Sequence, residues 1–293
     1  MGLLDGRVAL ITGAGAGLGR AHALAFAKEG AKVVVNDIGC AVDGSGAEKS
    51  VALKVVEEIR SQGGEAIADT NSVADAQGAK SMVEASINAF GKLDILVNNA
   101  AILRDRSFAK MTEDDWDAVL SVHLKGAFYV TKPAFEHMRD KGYGRIIMTT
   151  STAGLFGNFG QTNYSAAKAG LYGMMMTLAK EGAKYGITVN CLAPAAYTRL
   201  TVDLLGKRGV TPEQLDPAKV SPVVVYLCSE AGADLTGNVV YARGNTIKLV
   251  SMSFHPVAER ALEEPAWNPL EAGEKIREAV KKLKEAEKES AEK

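Results

Sequence analysis

The chain has 293 residues, 47% of them hydrophobic, with 34 Lys and Arg against 35 Asp and Glu for a formal net charge of −1. The apolar content allows a large core, and the balanced charge leaves no basic excess for nucleic acid or an anionic membrane. Three scattered cysteines (Cys40, Cys191, Cys228) and four histidines without ligand spacing argue against a disulfide framework and a metal site, and fit a reducing cytoplasm.

No apolar run reaches transmembrane length. Met1–Asp5 leads almost directly into the first strand, so no signal peptide is expected, and Ala291-Glu292-Lys293 is not a peroxisomal address. Val8-Ala9-Leu10-Ile11, bounded by Gly6 and Gly13, reads as a buried strand. Thr12-Gly13-Ala14-Gly15-Ala16-Gly17-Leu18-Gly19 follows, then a helix to about Glu29 that Gly30 closes. Lys32–Asn36 is a second strand and ends at Asp37. Strand, glycine-rich turn, helix, strand and acid form a dinucleotide-binding βαβ unit. Its glycines depart from the usual G-x-G-x-x-G spacing, but the physics is the same. Residues without Cβ let the backbone approach a pyrophosphate at a helix N-terminus. Asp37 lies 18 residues past Gly19, within reach of a ribose diol. A carboxylate there accepts from both hydroxyls and repels a 2′-phosphate, which favours NAD over NADP.

Residues 39–48 read as a loop, Glu48–Ser61 as a helix, and Ala66-Ile67-Ala68 as a third strand. Asn71 and Ser72 follow, where polar groups meet an adenine edge or cap the next helix. Leu93–Val97 is a fourth strand running into Asn98-Asn99-Ala100. Thr112 reads as the N-cap of a helix carrying Trp116, Val119, Leu120, His123, Leu124 and Phe128. Arg145–Thr149 is a fifth strand and delivers Ser151. The helix that follows carries Tyr164 and Lys168, four residues apart on one face. A cation beside a phenol favours the phenolate and pulls its pKa toward the range of an acid–base catalyst. Met174-Met175-Met176 reads as core or subunit contact. Ile187–Pro194 is a sixth strand, Pro217–Ser229 a helix, and Asn238–Ala242 a seventh strand. The glycine-bearing stretch from Thr198 to Pro217 is expected to be a mobile substrate flap. The fold expected is α/β: a single doubly wound Rossmann domain over residues 1–252, with a seven-stranded parallel sheet and helices on both faces. Residues 253–293 form a C-terminal extension, irregular from His255 to Pro269. It is amphipathic and helical from Glu271 to Lys293, either packed on a body or partner or solvated.

Over residues ~5–250 the chain resembles the short-chain dehydrogenase/reductase family. The resemblance rests on Thr12-Gly13-x-x-x-Gly17-x-Gly19, Asn98-Asn99-Ala100, Ser151 thirteen residues before Tyr164, Tyr164-x-x-x-Lys168, and Pro194. Asn36-Asp37-Ile38-Gly39, Ile102–Phe108, Val122–Gly126, Tyr143–Thr149 and Gly157–Gln161 are similar to the (3R)-hydroxyacyl-CoA dehydrogenase unit of peroxisomal multifunctional enzyme type 2 and its bacterial relatives. The resemblance implies Tyr164 as general acid/base, Lys168 as its pKa tuner and ribose contact, and Ser151 as the group polarising the substrate oxygen. It implies that Gly13, Gly17, Leu18 and Gly19 hold the pyrophosphate of NAD and Asp37 the adenosine ribose. Asn71 and Ser72 would face adenine, Asn99 and Ala100 the nicotinamide side, and Thr198 the nicotinamide-phosphate end. Asn71 stands where Asp is common, Ala101 where Gly is usual, and His123 where many members carry the Asn of a proton relay. The implied reaction is hydride transfer between C3 of a 3-hydroxyacyl-CoA and NAD+, in fatty-acid or steroid side-chain oxidation, by a homodimer or homotetramer. Rival readings are a 3-oxoacyl-ACP reductase, a hydroxysteroid dehydrogenase and a catalytically silent NAD-binding scaffold. Arg104, Arg106, Arg199, Lys207 and Arg208 are candidate CoA contacts.

Overall fold

The computed structural model describes residues 2–261 and 265–291. Met1, and of the expected tail Leu262–Glu264, Glu292 and Lys293, lie outside the described residues. The chain divides into two units, Met1–Val250 and Ser251–Lys293.

The apolar runs of the first unit become strands because each is buried on both faces. These are β1 (Val8–Thr12), β2 (Lys32–Asn36), β3 (Ala66–Asp69), β4 (Ile95–Asn98), β5 (Gly144–Thr149), β6 (Ile187–Ala195) and β7 (Val239–Arg243). They pair in parallel in the order β3-β2-β1-β4-β5-β6-β7. An eighth strand, β8 (Thr246–Val250), then runs antiparallel along β7, one strand more than expected. Arg243 pairs with Thr246, so the connection is the dipeptide Gly244-Asn245, with Gly244 at φ 52. Glycine at the first position of a two-residue loop is a hairpin signal, and Thr246-Ile247-Lys248-Leu249 alternates polar and apolar residues, a strand pattern that the seven-strand reading passed over.

The helices are α1 (Gly17–Lys28), α2 (Ser50–Ser61), α3 (Ala76–Phe90), α4 (Glu113–Leu120), α5 (Gly126–Lys141), the short α6 (Thr152–Phe156), α7 (Thr162–Gly182), the short α8 (Val202–Lys207) and α9 (Ser221–Cys228). Side-chain alternation splits the core into two layers. Ala9, Ile11, Val33, Val35 and Leu192 point to the face covered by α1, α2 and α9. Leu10, Val34, Val189, Cys191 and Ala193 point to the face of α3, α5 and α7. Phe26 of α1 is fully buried in the first layer, where truncation to Ala costs about 3–5 kcal/mol. Met175 is buried in the second layer with Met174 and Met176 packed beside it, so the methionine run is core.

Caps set the helix starts. Thr112 and Asp115 make a reciprocal capping box for α4. Asp75 caps α3 by accepting from the Gly78 N–H at 2.8 Å, which frees Asn71 and Ser72 from that task. Between α4 and α5 the helix widens into one π-type segment, Ser121–Lys125, with His123 inside it. The strand order reverses between β1 and β4, and the segments leaving their carboxyl ends frame a crevice.

In the second unit, α10 (Pro269–Ala291) begins where Asn268 Oδ1 accepts from the Glu271 N–H at 2.9 Å. Arg260 stacks 3.8 Å above the Trp267 ring and pairs with Glu271. No described helix is long and apolar enough to cross a membrane.

Candidate active site

A cavity of about 970 Å³ opens along the carboxyl ends of the strands. It is lined from one side by the β1–α1 turn and Asp37, and from the other by Ser151, Tyr164 and Lys168.

The β1–α1 turn is built around missing Cβ atoms. Gly13 has φ 63, and a Cβ there would meet Ala100 Cα at 2.8 Å. A Cβ on Gly19 would meet the Gly13 carbonyl oxygen at 2.2 Å. The turn is therefore closed to side chains at both positions, and Gly17 and Leu18 line the cavity at the N-terminus of α1. Thr12 Oγ1 accepts from the Asn99 and Ala100 N–H groups at 3.0 and 3.1 Å, locking β1 to the end of β4. The Asn99 side-chain amide donates to the Thr12 and Gly13 carbonyls at 3.0 and 3.1 Å. Its donors thus hold the turn, and Ala100 lines the cavity beside it. The cradle suits a pyrophosphate: backbone N–H groups, glycines at Gly13, Gly17 and Gly19, and a helix N-terminus.

Asp37 is buried, and both carboxylate oxygens are held. Oδ2 accepts from the Gly15 N–H at 2.8 Å and Oδ1 from the Gly39 N–H at 2.7 Å. Asp69 accepts from the Asn36 and Asn71 side-chain amides, both at 2.8 Å. Asn71 and Ser72 line the cavity. At the opposite end Thr198 donates through its backbone N–H to Thr201 Oγ1 at 2.9 Å, and its methyl would lie 3.3 Å from a Cβ on Gly17. Beyond Thr198, α8 and the turn at Gly209 (φ 69) bring Leu205, Arg208 and Val210 to the cavity wall.

Ser151 caps α6, its Oγ accepting from the Ala153 N–H at 3.1 Å. Tyr164 and Lys168 lie one turn apart on α7, with Lys168 Nζ 5.5 Å from the Tyr164 ring centroid. Lys168 is buried and donates to the Thr149 carbonyl at 2.6 Å. Burial lowers its pKa to about 7. The Tyr164 phenol moves the other way from the expected direction. Burial raises its pKa, a hydrogen bond with Ser151 opposes the rise, and the charge of Asp105 adds to it. A cation beside a phenol lowers its pKa when the amine is charged. Here the same desolvation acts on both groups, disfavouring phenolate and ammonium together.

His123 is buried edge-on to Tyr164. Its Nε2 lies 2.8 Å from the Ile102 carbonyl oxygen and 3.0 Å from the Ile102 nitrogen, while Nδ1 has no partner among the described residues. Burial and the charge of Lys168 hold its pKa well below the usual imidazole value. Of the candidate CoA contacts, Arg104 and Arg106 are tied to Asp114 and Asp115, and Arg199 to the Cys40 carbonyl. Arg208 reaches the cavity with no charged partner among the described residues, and Arg243 at the end of β7, which the sequence reading passed over, does the same. Asp105 was also missed. It follows the strand-end asparagines by a few positions in an irregular segment, where no periodicity marks its direction. The three cysteines are free, and no described cluster of side chains could hold a metal.

The family model for short chain dehydrogenase matches residues 7–204. Peroxisomal multifunctional enzyme type 2 of Drosophila melanogaster is 52% identical over 249 residues, covering 84% of this chain but 40% of that one. Hydroxyacyl-CoA dehydrogenase ChsB1 of Mycobacterium tuberculosis is 37% identical over 280 residues, 92% of this chain and 86% of that one. The crystal structure of a short chain dehydrogenase from Mycobacterium avium superposes with a TM-score of 0.82 at 44% identity, covering 95% and 96% of the two chains.

Proposed function

The chain belongs to the short-chain dehydrogenase family and is an oxidoreductase, and on that premise we propose that it is an NAD-dependent 3-hydroxyacyl-CoA dehydrogenase. The observation that carries the reading is that Asp37, the glycine-rich turn, Ser151, Tyr164 and Lys168 all line one cavity. The family works with NAD or NADP. Asp37 supports NAD, because its carboxylate is held by two backbone amides where a 2′-phosphate would meet its charge. The name of the Mycobacterium tuberculosis relative, a hydroxyacyl-CoA dehydrogenase, supports the acyl-CoA substrate.

The Gly13–Gly19 turn would hold the pyrophosphate, Asp37 the adenosine ribose, Asn71 and Ser72 the adenine, and Thr198 the nicotinamide-phosphate end. When bound, the dinucleotide supplies the hydride acceptor. Ser151 Oγ–H donates to the C3 oxygen and fixes it against Tyr164. The Tyr164 oxygen, as phenolate, takes the hydroxyl proton while C3 becomes a carbonyl carbon; in the reverse direction the neutral phenol returns it. Lys168, poised near neutrality, holds the Thr149 carbonyl and exchanges a proton behind the phenol. The reading extends to a homodimer or homotetramer packed through the helices bearing His123 and Tyr164, where Phe128 of α5 is exposed. It also extends to the cytoplasm, on the three free thiols.

The test is initial rates with (3R)- and (3S)-hydroxyacyl-CoA and a steroid alcohol, each with NAD+ and NADP+. NADH formation from one hydroxyacyl-CoA enantiomer, lost in Tyr164→Phe, is expected. Turnover of the steroid alone would overturn the substrate assignment, and a preference for NADP+ the cofactor.

A further inference from the structure

Asp105 is a carboxylate at the active-site cavity that the mechanism does not use. It lines the same cavity as Tyr164, and its charge acts on the Tyr164 phenol. Its flanking residues are both arginines, the obvious candidates to neutralise it, and neither does. Arg104 pairs with Asp114 and donates from Nε to the Asp43 carbonyl at 2.9 Å. Arg106 pairs with Asp115 at 2.7 Å. Arg208 and Arg243 reach the cavity but form no ion pair with Asp105.

Its one hydrogen-bond partner among the described residues is neutral. Gln161 Nε2 donates to Asp105 Oδ2 at 2.7 Å. Asn158 Nδ2 in turn donates to Gln161 Oε1 at 2.9 Å, which fixes the amide so that its N–H faces the carboxylate. Burial raises the Asp105 pKa, and the Gln161 N–H, which favours the anion, opposes the rise. Two main-chain ties hold the arrangement: the Arg106 N–H donates to the Gly160 carbonyl at 2.8 Å, and Arg106 bridges Gln161 as a short parallel ladder. Cavity, partner and backbone thus present an unneutralised negative charge to whatever Tyr164 acts on.

We propose that Asp105 is a specificity-determining residue: its carboxylate turns away substrates with a negative charge next to the reacting carbon, so that the site takes the uncharged thioester and rejects the free 3-hydroxy acid. The inference rests on the acyl-CoA reading for the thioester half, and its charge half stands apart from it. A free acid places its carboxylate two carbons from the reacting oxygen, where like charges in a partly desolvated site repel. Esterification removes that charge while leaving the group that Ser151 and Tyr164 handle unchanged.

The test uses three substrates with NAD+: 3-hydroxybutyryl-CoA, ethyl 3-hydroxybutanoate and the 3-hydroxybutanoate anion. The ester-to-acid ratio of kcat/KM reads the charge effect, and the CoA rate reads the proposed function. Asp105→Asn is isosteric and keeps an oxygen for Gln161. It is expected to lower the ester-to-acid ratio by about tenfold or more, through a gain on the acid. Asp105→Glu keeps the ratio. Gln161→Ala breaks the hydrogen bond but leaves the charge, and keeps the preference for ester, which a merely structural role would not. An unchanged ratio in Asp105→Asn, or an equal fall in Gln161→Ala, overturns the inference. Loss of CoA turnover in the unmodified protein with the ester-to-acid pattern intact overturns the acyl-CoA reading instead.

Discussion

The imidazole of His123 stands edge-on to the Tyr164 phenol, ring centroids 5.3 Å apart and planes at 80°. The aromatic contact and the Ile102 main chain together clamp an uncharged ring in the π-type segment between α4 and α5.

That burial makes acid destabilising. His22, bonded to Ser221 Oγ at 2.9 Å, has its pKa lowered to about 4, and His123 is held well below its usual value. Both folded-state values lie below the unfolded one, so between about pH 6.5 and 4 the unfolded chain binds more protons and stability falls as pH falls. Urea midpoints measured across this window are expected to drop, and less so in His22→Gln. Proton NMR should find these two rings not titrating near 6.5. Two ordinary titration curves would contradict the buried geometry.

Tyr164 sets a second pH dependence. With its phenol raised above the ordinary value, little phenolate exists at neutral pH. Alcohol oxidation, which uses the phenolate, is expected to rise with pH by close to tenfold per unit until the phenol titrates, and ketone reduction, which uses the neutral phenol, to stay level over that range and fall only above it. Asp105→Asn removes a charge that raises the phenol, so the oxidative limb should move to lower pH. A profile that is flat with pH in both directions would rule this out.

Lys168 predicts a stability gain in base. Its folded pKa of about 7 lies below the unfolded value of 10.5, so the cost of burying its charge is complete below pH 7 and fades as pH rises toward 10. Cofactor-free protein should therefore gain stability over this range, with a slope of at most about 1.4 kcal/mol per pH unit from this group. Lys168→Met should remove that slope. Equal slopes for the two proteins in urea titrations at several pH values would mean that Lys168 is charged when folded.

Asp37→Asn tests the cofactor choice. The variant keeps one oxygen for the Gly15 or Gly39 N–H but loses the charge. The ratio of kcat/KM for NAD+ over NADP+ should fall by about tenfold or more. A ratio that does not move would show that Asp37 braces the loop without selecting the cofactor.

The features that local rules govern were legible in the chain. Buried strands read as apolar runs, Thr112 as a cap, and Tyr164 and Lys168 as neighbours, because helix and strand periods act over a few residues. The βαβ entry with Asp37 was legible for the same reason. The sequence by itself determined which chemical groups the protein has and in what order the sheet receives them. The tertiary structure decided their states. Asn99 was read as a group on the nicotinamide side, and only the folded chain shows that its amide also ties the cavity wall to the Thr12 and Gly13 carbonyls. The eighth strand took its partner through Gly244-Asn245, which folds it antiparallel onto β7. Lys168 was expected to pull the Tyr164 pKa down, but shared burial drives the phenol up and the amine down. Asp105 gained its place through Gln161, 56 residues away. Desolvation and long-range hydrogen bonds exist only after the chain has closed around them, and sequence spacing carries no record of either.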